Sequence, residues 1–165
     1  MHISKNGIEL LKEYEGCVIR NRKHVIYDDT TGQPVDTHNS LPRGATIGYG
    51  HLIKPYEYFG DGITENVATE LLRRDIATAE QAVCDNVTVL LTQNQFDALV
   101  IFAYNIGEKN FAKSTVVKYI NDTNFHNTTY PDIDSAWRAW CKSGERTVSG
   151  LKRRRDMELK LFHTI

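Results

Sequence analysis

Glu15 ends an amphipathic stretch in which Ile8, Leu11 and Glu15 recur at helical spacing, so a carboxylate continues an apolar stripe. It falls in what would be the last helical turn, where negative charge opposes the helix dipole. A carboxylate at the edge of an apolar face is partly stripped of water, which favours the protonated form a general acid needs. Its neighbours Glu9 and Glu13 illustrate the plainer reading, an exposed glutamate. Asp28 and Asp29 follow the strand-like Val25-Ile26-Tyr27 and precede Thr30-Thr31-Gly32. Aspartates in that position commonly accept hydrogen bonds from the turn's own backbone. The same run lacks the alternating acids and terminal Glu of a calcium loop. Yet a helix-end Glu followed by a β-turn Asp supplies the two carboxylates that glycosidic cleavage needs. One is a protonated acid, the other an ionised base or nucleophile.

Thr46-Ile47-Gly48-Tyr49-Gly50-His51 nearly copies a potassium-channel filter, but that reading requires flanking membrane helices, and the sequence has none. It is read instead as a strand whose glycines allow close approach by another backbone or a ligand, with Thr46 facing the same way as Gly48 and Gly50. His51, at a strand end, reads as a hydrogen-bonded structural histidine rather than a base.

The elements that must hold these residues are legible from periodicity. Ser4 is a fair N-cap for a first helix that Gly16 ends. From Val25 to Ile53 short runs rich in Tyr, Thr, Val and Ile alternate with turns at Thr31-Gly32-Gln33-Pro34, Asn39-Ser40 and Pro42-Arg43-Gly44. Helix returns after Thr64, with Val67, Leu71, Leu72, Ile76, Ala79 and Val83 on one face. Thr92 and Gln95 form a capping box before Phe96–Tyr104, which is apolar nearly all round, and Gly107 closes that helix. Amphipathic pieces follow at 114–120, 133–141 and 151–162, with an Asn/Thr-rich loop at 121–129. The expected fold is α+β with segregated elements in a single domain over 1–165. It has an N-terminal helix at 4–15, a β-lobe at about 24–60 and a larger α-lobe at about 64–165 around a central apolar helix. An extended ligand would lie in a cleft between the lobes.

Bulk properties exclude several classes. The 165 residues are 41% hydrophobic and 25% charged with net charge −1, which fits neither a disordered chain nor a general polyanion binder. Cys17, Cys84 and Cys141 are too far apart for a zinc motif and read as buried, reduced thiols. No run approaches the ~20 apolar residues of a membrane span, and the first residues carry no signal-peptide core. The expectation is a soluble protein made in a cytosol without an export signal of its own. Lys152-Arg153-Arg154-Arg155 is a local basic run, read first as a solvated helix face paired with Glu158. The alternative is that Lys152 or Arg154 orients Glu15. Nucleic-acid binding through this run lacks a motif and an overall basic balance.

Four blocks in order make the chain resemble the phage-type lysozymes (endolysins), glycoside hydrolase family 24, over essentially its whole length. They are Leu-Lys-Glu-Tyr-Glu-Gly at 11–16, Tyr-Asp-Asp with Thr-Gly at 27–32, Ala-Thr-Ile-Gly-Tyr-Gly-His-Leu at 45–52, and Leu-Thr-Gln-Asn-Gln-Phe-Asp-Ala-Leu-Val with Asn-Ile-Gly at 91–107. The tail at 149–162 is similar to the family's closing helix. The resemblance implies a lysozyme-like fold and hydrolysis of the β-1,4 bond between N-acetylmuramic acid and N-acetylglucosamine. It implies inversion and no metal or cofactor. Its catalytic Glu, Asp and Thr fall on Glu15, Asp29 (Asp28 as fallback) and Thr46. Tyr104 and Asn105 fall where the family's α-lobe meets substrate, and His51 is similar to a histidine bridged to an acid on the next long helix, here Asp75. The expected partner is the peptidoglycan glycan strand, met by a monomer in the periplasm, with release depending on a holin. Neither nucleic acid nor membrane insertion is expected. Two segments depart from the family: 13 residues separate Glu15 from Asp29, including the basic Arg20–His24, and the stretch Gln33–Ala45 is long. Surface insertions of this kind cost little entropy. A lytic transglycosylase would not need Asp29 and Thr46 to handle water, and a silent wall-binding module would not need any of the three.

Overall fold

A computed structural model describes residues 1–36, 40–143 and 146–164. The middle of the long 33–45 stretch, with Asn39 of the expected turn, lies outside the described residues. The chain divides into two compact units, one of Met1–Glu9 with Ile76–Ile165 and one of Leu10–Asp75. Helix α1 (Lys5–Glu15) passes from the first into the second. Ser4 caps it as expected, its Oγ accepting the Gly7 N–H at 3.0 Å, and Gly16 ends it at a φ of +64°.

In the unit Leu10–Asp75 the strands are two or three residues long. Strands β1 (Ile19–Arg20) and β2 (Lys23–His24) form a hairpin that the sequence reading did not anticipate. Its turn residues Asn21 and Arg22 both have positive φ (47° and 63°), as a two-residue hairpin turn requires. A three-stranded antiparallel sheet follows, ordered β3 (Tyr27–Asp28), β4 (Ala45–Ile47), β5 (His51–Leu52). Its register sets Tyr27 and Leu52 opposite Thr46, so these three share one face, while Ile47 and His51 share the other. Helix α2 (Glu65–Asp75) packs beside the sheet at Gly48. A Cβ there would come within 3.3 Å of the Ala68 Cβ, so glycine sets the strand–helix distance.

The expected helix from Thr64 to Val83 is two helices, α2 and α3 (Ala77–Asn86), separated at Ile76. The apolar face holds at Leu71, Leu72, Ile76, Ala79 and Val83, but Val67 is exposed.

The other unit is built on α4 (Gln93–Ile106), whose residues Phe96–Ala103 are all buried. Its N-terminus carries the expected capping box of Thr92 and Gln95. The one charge in that buried run, Asp97, is satisfied by the Ser4 N–H (2.9 Å), the Ser4 hydroxyl and the Gln93 amide (2.8 Å). Around α4 pack α5 (Glu108–Lys113), α6 (Thr115–Asn121), α7 (Ile133–Arg138) and α8 (Ser149–Phe162), with α8 and α3 its main neighbours. Short β6 (Lys142–Ser143) and β7 (Arg146–Thr147) pair within this unit, and α7 ends before Cys141 because the chain turns toward them.

Two expectations are corrected. Cys17 and Cys84 are exposed and Cys141 is half-buried, so these thiols are not core residues. Arg154 and Arg155 are buried rather than on a solvated face, although the pairing with Glu158 is present (3.2 and 3.1 Å). The Trp137 indole donates to the same carboxylate at 2.8 Å, so the buried charges are tied into one network.

Candidate active site

Asp28 and Asp29 are neighbours in sequence but do different work. Asp28 Oδ1 accepts the N–H groups of Thr30 (2.8 Å) and Thr31 (3.0 Å), and its carbonyl accepts that of Gly32 (2.7 Å). That turn occupies Asp28 and turns the exposed Asp29 carboxylate out of it. The Asp29 N–H reaches the Gly44 carbonyl at 3.4 Å, and the buried Thr46 Oγ donates to the same carbonyl at 2.9 Å. One backbone oxygen thus gathers Asp29 and Thr46. With its proton committed there, the Thr46 oxygen is free to accept a hydrogen from a ligand.

Glu15 is the half-buried last residue of α1. Its carboxylate lies against Gly50: a Cβ built on that glycine would stand 3.6 Å from Oε2, and the φ of +85° is one that side chains rarely adopt. The Gly50 backbone also hydrogen-bonds the Tyr27 hydroxyl. Burial pushes the Tyr27 phenol up, and the charges of Asp29 and, more weakly, Cys17 and Glu15 push it further. The phenol therefore stays neutral and within electrostatic reach of both carboxylates. Glu15, Asp29 and Thr46 are brought together in this way within Leu10–Asp75, by α1, the turn after β3, and β4.

Tyr104 and Asn105 belong to the other unit, in the last turn of α4. The Asn105 Oδ1 accepts from Arg155 Nη2 at 2.6 Å, so this amide helps satisfy a buried guanidinium. His51 is buried and its Nδ1 lies 2.8 Å from Asp75 Oδ2, the bridge the resemblance implied. Its Nε2 meets a second acid, Glu57, at 2.9 Å. Burial pushes Glu57 up, but the Lys54 N–H and His51 outweigh this and hold it below the usual carboxylate range.

The sequence reading missed Tyr27 and the supports gathered on Glu65, at the start of α2. That carboxylate meets Lys12 Nζ of α1 (3.0 Å), His24 Nε2 of β2 (2.7 Å) and the Tyr49 hydroxyl (2.9 Å). Burial pushes Glu65 up, but those hydrogen bonds and the Lys12 charge prevail and hold it at about 2. The tie spans the helix bearing Glu15, the inserted hairpin and the residue before Gly50. Its partners lie far apart in sequence, and His24 read as one more member of a basic run. For Tyr27 a signal existed, since strand alternation puts it on the Thr46 face.

The assembled groups are a carboxylate on a helix end, a second carboxylate beyond a turn and a hydroxyl on a strand. A family model described as phage lysozyme matches residues 12–158. The endolysin of Bacillus phage B103 is 35% identical across 99% of this chain and 55% of its own length, so the chain spans about half of that relative. The endolysin of Acyrthosiphon pisum secondary endosymbiont phage 1 is 33% identical, with 99% of each covered. Among solved structures, the muramidase domain of SpmX from Asticaccaulis excentricus superposes with a TM-score of 0.73 at 32% identity, covering all of both chains.

Proposed function

Because the chain belongs to the phage lysozyme family, we propose that it hydrolyses the β-1,4 bond between N-acetylmuramic acid and N-acetylglucosamine in bacterial peptidoglycan. The observation that carries this reading is the Gly44 carbonyl, which holds Asp29 and Thr46 together in the unit where Glu15 rests on Gly50. Glu15 gives its proton to the glycosidic oxygen as the bond to the sugar carbon breaks. A water held by Thr46 adds to that carbon, and Asp29 takes the water's proton. The products are two shortened glycan ends, with inversion at the new reducing end. Neutral Tyr27 keeps a hydrogen-bond donor beside the two acids without adding charge.

Tyr104 and Asn105 supply substrate contacts from α4, and 1–165 acts as one lysozyme domain, a reading supported by a family match that runs through both units. No described helix is long and apolar enough to cross a membrane. We take the wall to be reached by a monomer made in the cytoplasm and released through a holin. Replacing Glu15→Gln should lower the clearing of permeabilised bacteria by at least about a hundredfold with unfolding unchanged. Clearing at the parental rate would remove Glu15 as the acid. Proton NMR of fresh digests should show the inverted anomer first.

A further inference from the structure

A groove of about 600 Å³ lies between the segment before β4 and the segment after β5, within Leu10–Asp75. We propose that it binds the acidic peptide carried by a muramyl residue of the substrate, a specificity site that rests on the glycan-strand reading above. Its place is fixed by Gly44, which lines the groove and whose carbonyl receives Asp29 and Thr46. Leu52, on the opposite wall, stands across from Thr46 in the sheet register. The groove therefore opens beside Thr46, within reach of a chain branching from a sugar bound there.

The lining says which part of the substrate enters. Leu41, Pro42, Leu52 and Pro55 are exposed apolar surface, and no aromatic or amide side chain is among the lining residues. Sugars are commonly gripped by aromatic faces and side-chain amides, and this surface has neither. A stem peptide of alanines and free carboxylates presents methyl groups and negative charge instead. The charges answer it. Arg43 and Lys54 are exposed on the walls, whereas the single acid there, Glu57, is already held by His51 Nε2 (2.9 Å) and the Lys54 N–H (3.0 Å). The walls are tied through the floor by the Ile53 N–H on the Ala45 carbonyl at 3.0 Å, so the groove exists before any ligand binds. Arg43 belongs to the long stretch in which this chain departs from the family pattern, whereas Ala45 and Leu52 belong to a block it shares.

The test compares two substrates: uncrosslinked glycan strands bearing stem peptides, and the same strands after an amidase has removed them. The double variant Arg43→Glu with Lys54→Glu should raise KM on peptide-bearing strands by about tenfold with kcat unchanged, since two exposed ion pairs are lost and reversed. On stripped strands its kcat/KM should stay within about twofold of the parent. The Arg43→Gln, Lys54→Gln pair should show a smaller loss in the same direction, and higher salt should shrink the difference. Equal loss on both substrates, or no loss on either, overturns the proposal. So does a parent enzyme that cleaves both strands with the same KM. A parent that cleaves neither strand overturns the hydrolase reading itself, which keeps the two failures apart.

Discussion

The two units of this protein are held together by different means. Met1–Glu9 with Ile76–Ile165 is regular helix around α4, with eight successive residues of that helix buried. Phe102 alone meets Trp137 (ring centroids 4.6 Å apart), Phe111 and Trp140. Leu10–Asp75 has strands of two or three residues and seven of the eight described glycines with positive φ. There polar ties stand beside buried apolar residues such as Leu11, Ile47 and Leu72: Glu65 to Lys12, His24 and Tyr49, His51 to two acids, and Gly44 to Asp29 and Thr46. Apolar burial is non-directional and yields stability, whereas hydrogen bonds fix directions and yield geometry. The catalytic candidates stand in the unit held by directions.

The sharpest way to break that contrast is in the apolar unit. Phe102→Ala should lower the unfolding free energy by about 3–5 kcal/mol, read by urea titration, because a fully buried aromatic is lost and its cavity refills poorly. If α4 is the source of stability, the m-value should stay constant while the midpoint drops. A loss under about 1 kcal/mol would mean the aromatic cluster is loosely packed.

The same contrast decides what could be read in advance. The capping box at Thr92, the all-round apolar run to Tyr104 and the stripe through Leu71, Leu72 and Ile76 were visible because each is a local, periodic pattern. The break at Ile76 was not, since its sequence continues the helical period and carries no Gly or Pro. In the unit Leu10–Asp75, Gly50 and the Tyr-Asp-Asp turn were legible as types of residue. Their partners were not: nothing near Glu65 in sequence points to Lys12, His24 or Tyr49. Arg154 and Arg155 were misread for the same reason, because charge argues for solvent until the buried Glu158 and Trp137 are seen across α7 and α8.

A second prediction separates geometry from stability at the Asp pair. Asp29→Asn should cut kcat on peptidoglycan by about a hundredfold through loss of the base. It should leave unfolding within about 0.5 kcal/mol of the parent, since the exposed carboxylate takes no part in the turn. Asp28→Asn keeps an acceptor for Thr30 and Thr31 and should leave kcat within about threefold. The reverse ranking, measured side by side in a turbidity assay, would move the base to Asp28 and break the reading of the turn.

The smallest expected effect tests whether the polar unit is weak to acid as such. Glu65 is held at about 2 against an ordinary value of 4.5, so in that interval the unfolded chain binds more protons than the folded one. Its stabilisation is therefore complete above the ordinary value and is lost as pH falls from about 4.5 toward 2. The side chain is 53% exposed, so screening by water leaves about 1 kcal/mol of the effect. Glu65→Gln should flatten the acid slope of unfolding by that amount while Glu57, which is also held low, keeps a residual slope. Amide exchange localises the effect. On acidification of the parent, protection should fall first at His24 and Ile63, whose paired N–H groups lie beside Glu65, while α4 keeps its protection. Loss of protection in both units together would show that the polar ties and the apolar core open as one, and that the difference between the units is one of construction but not of local stability.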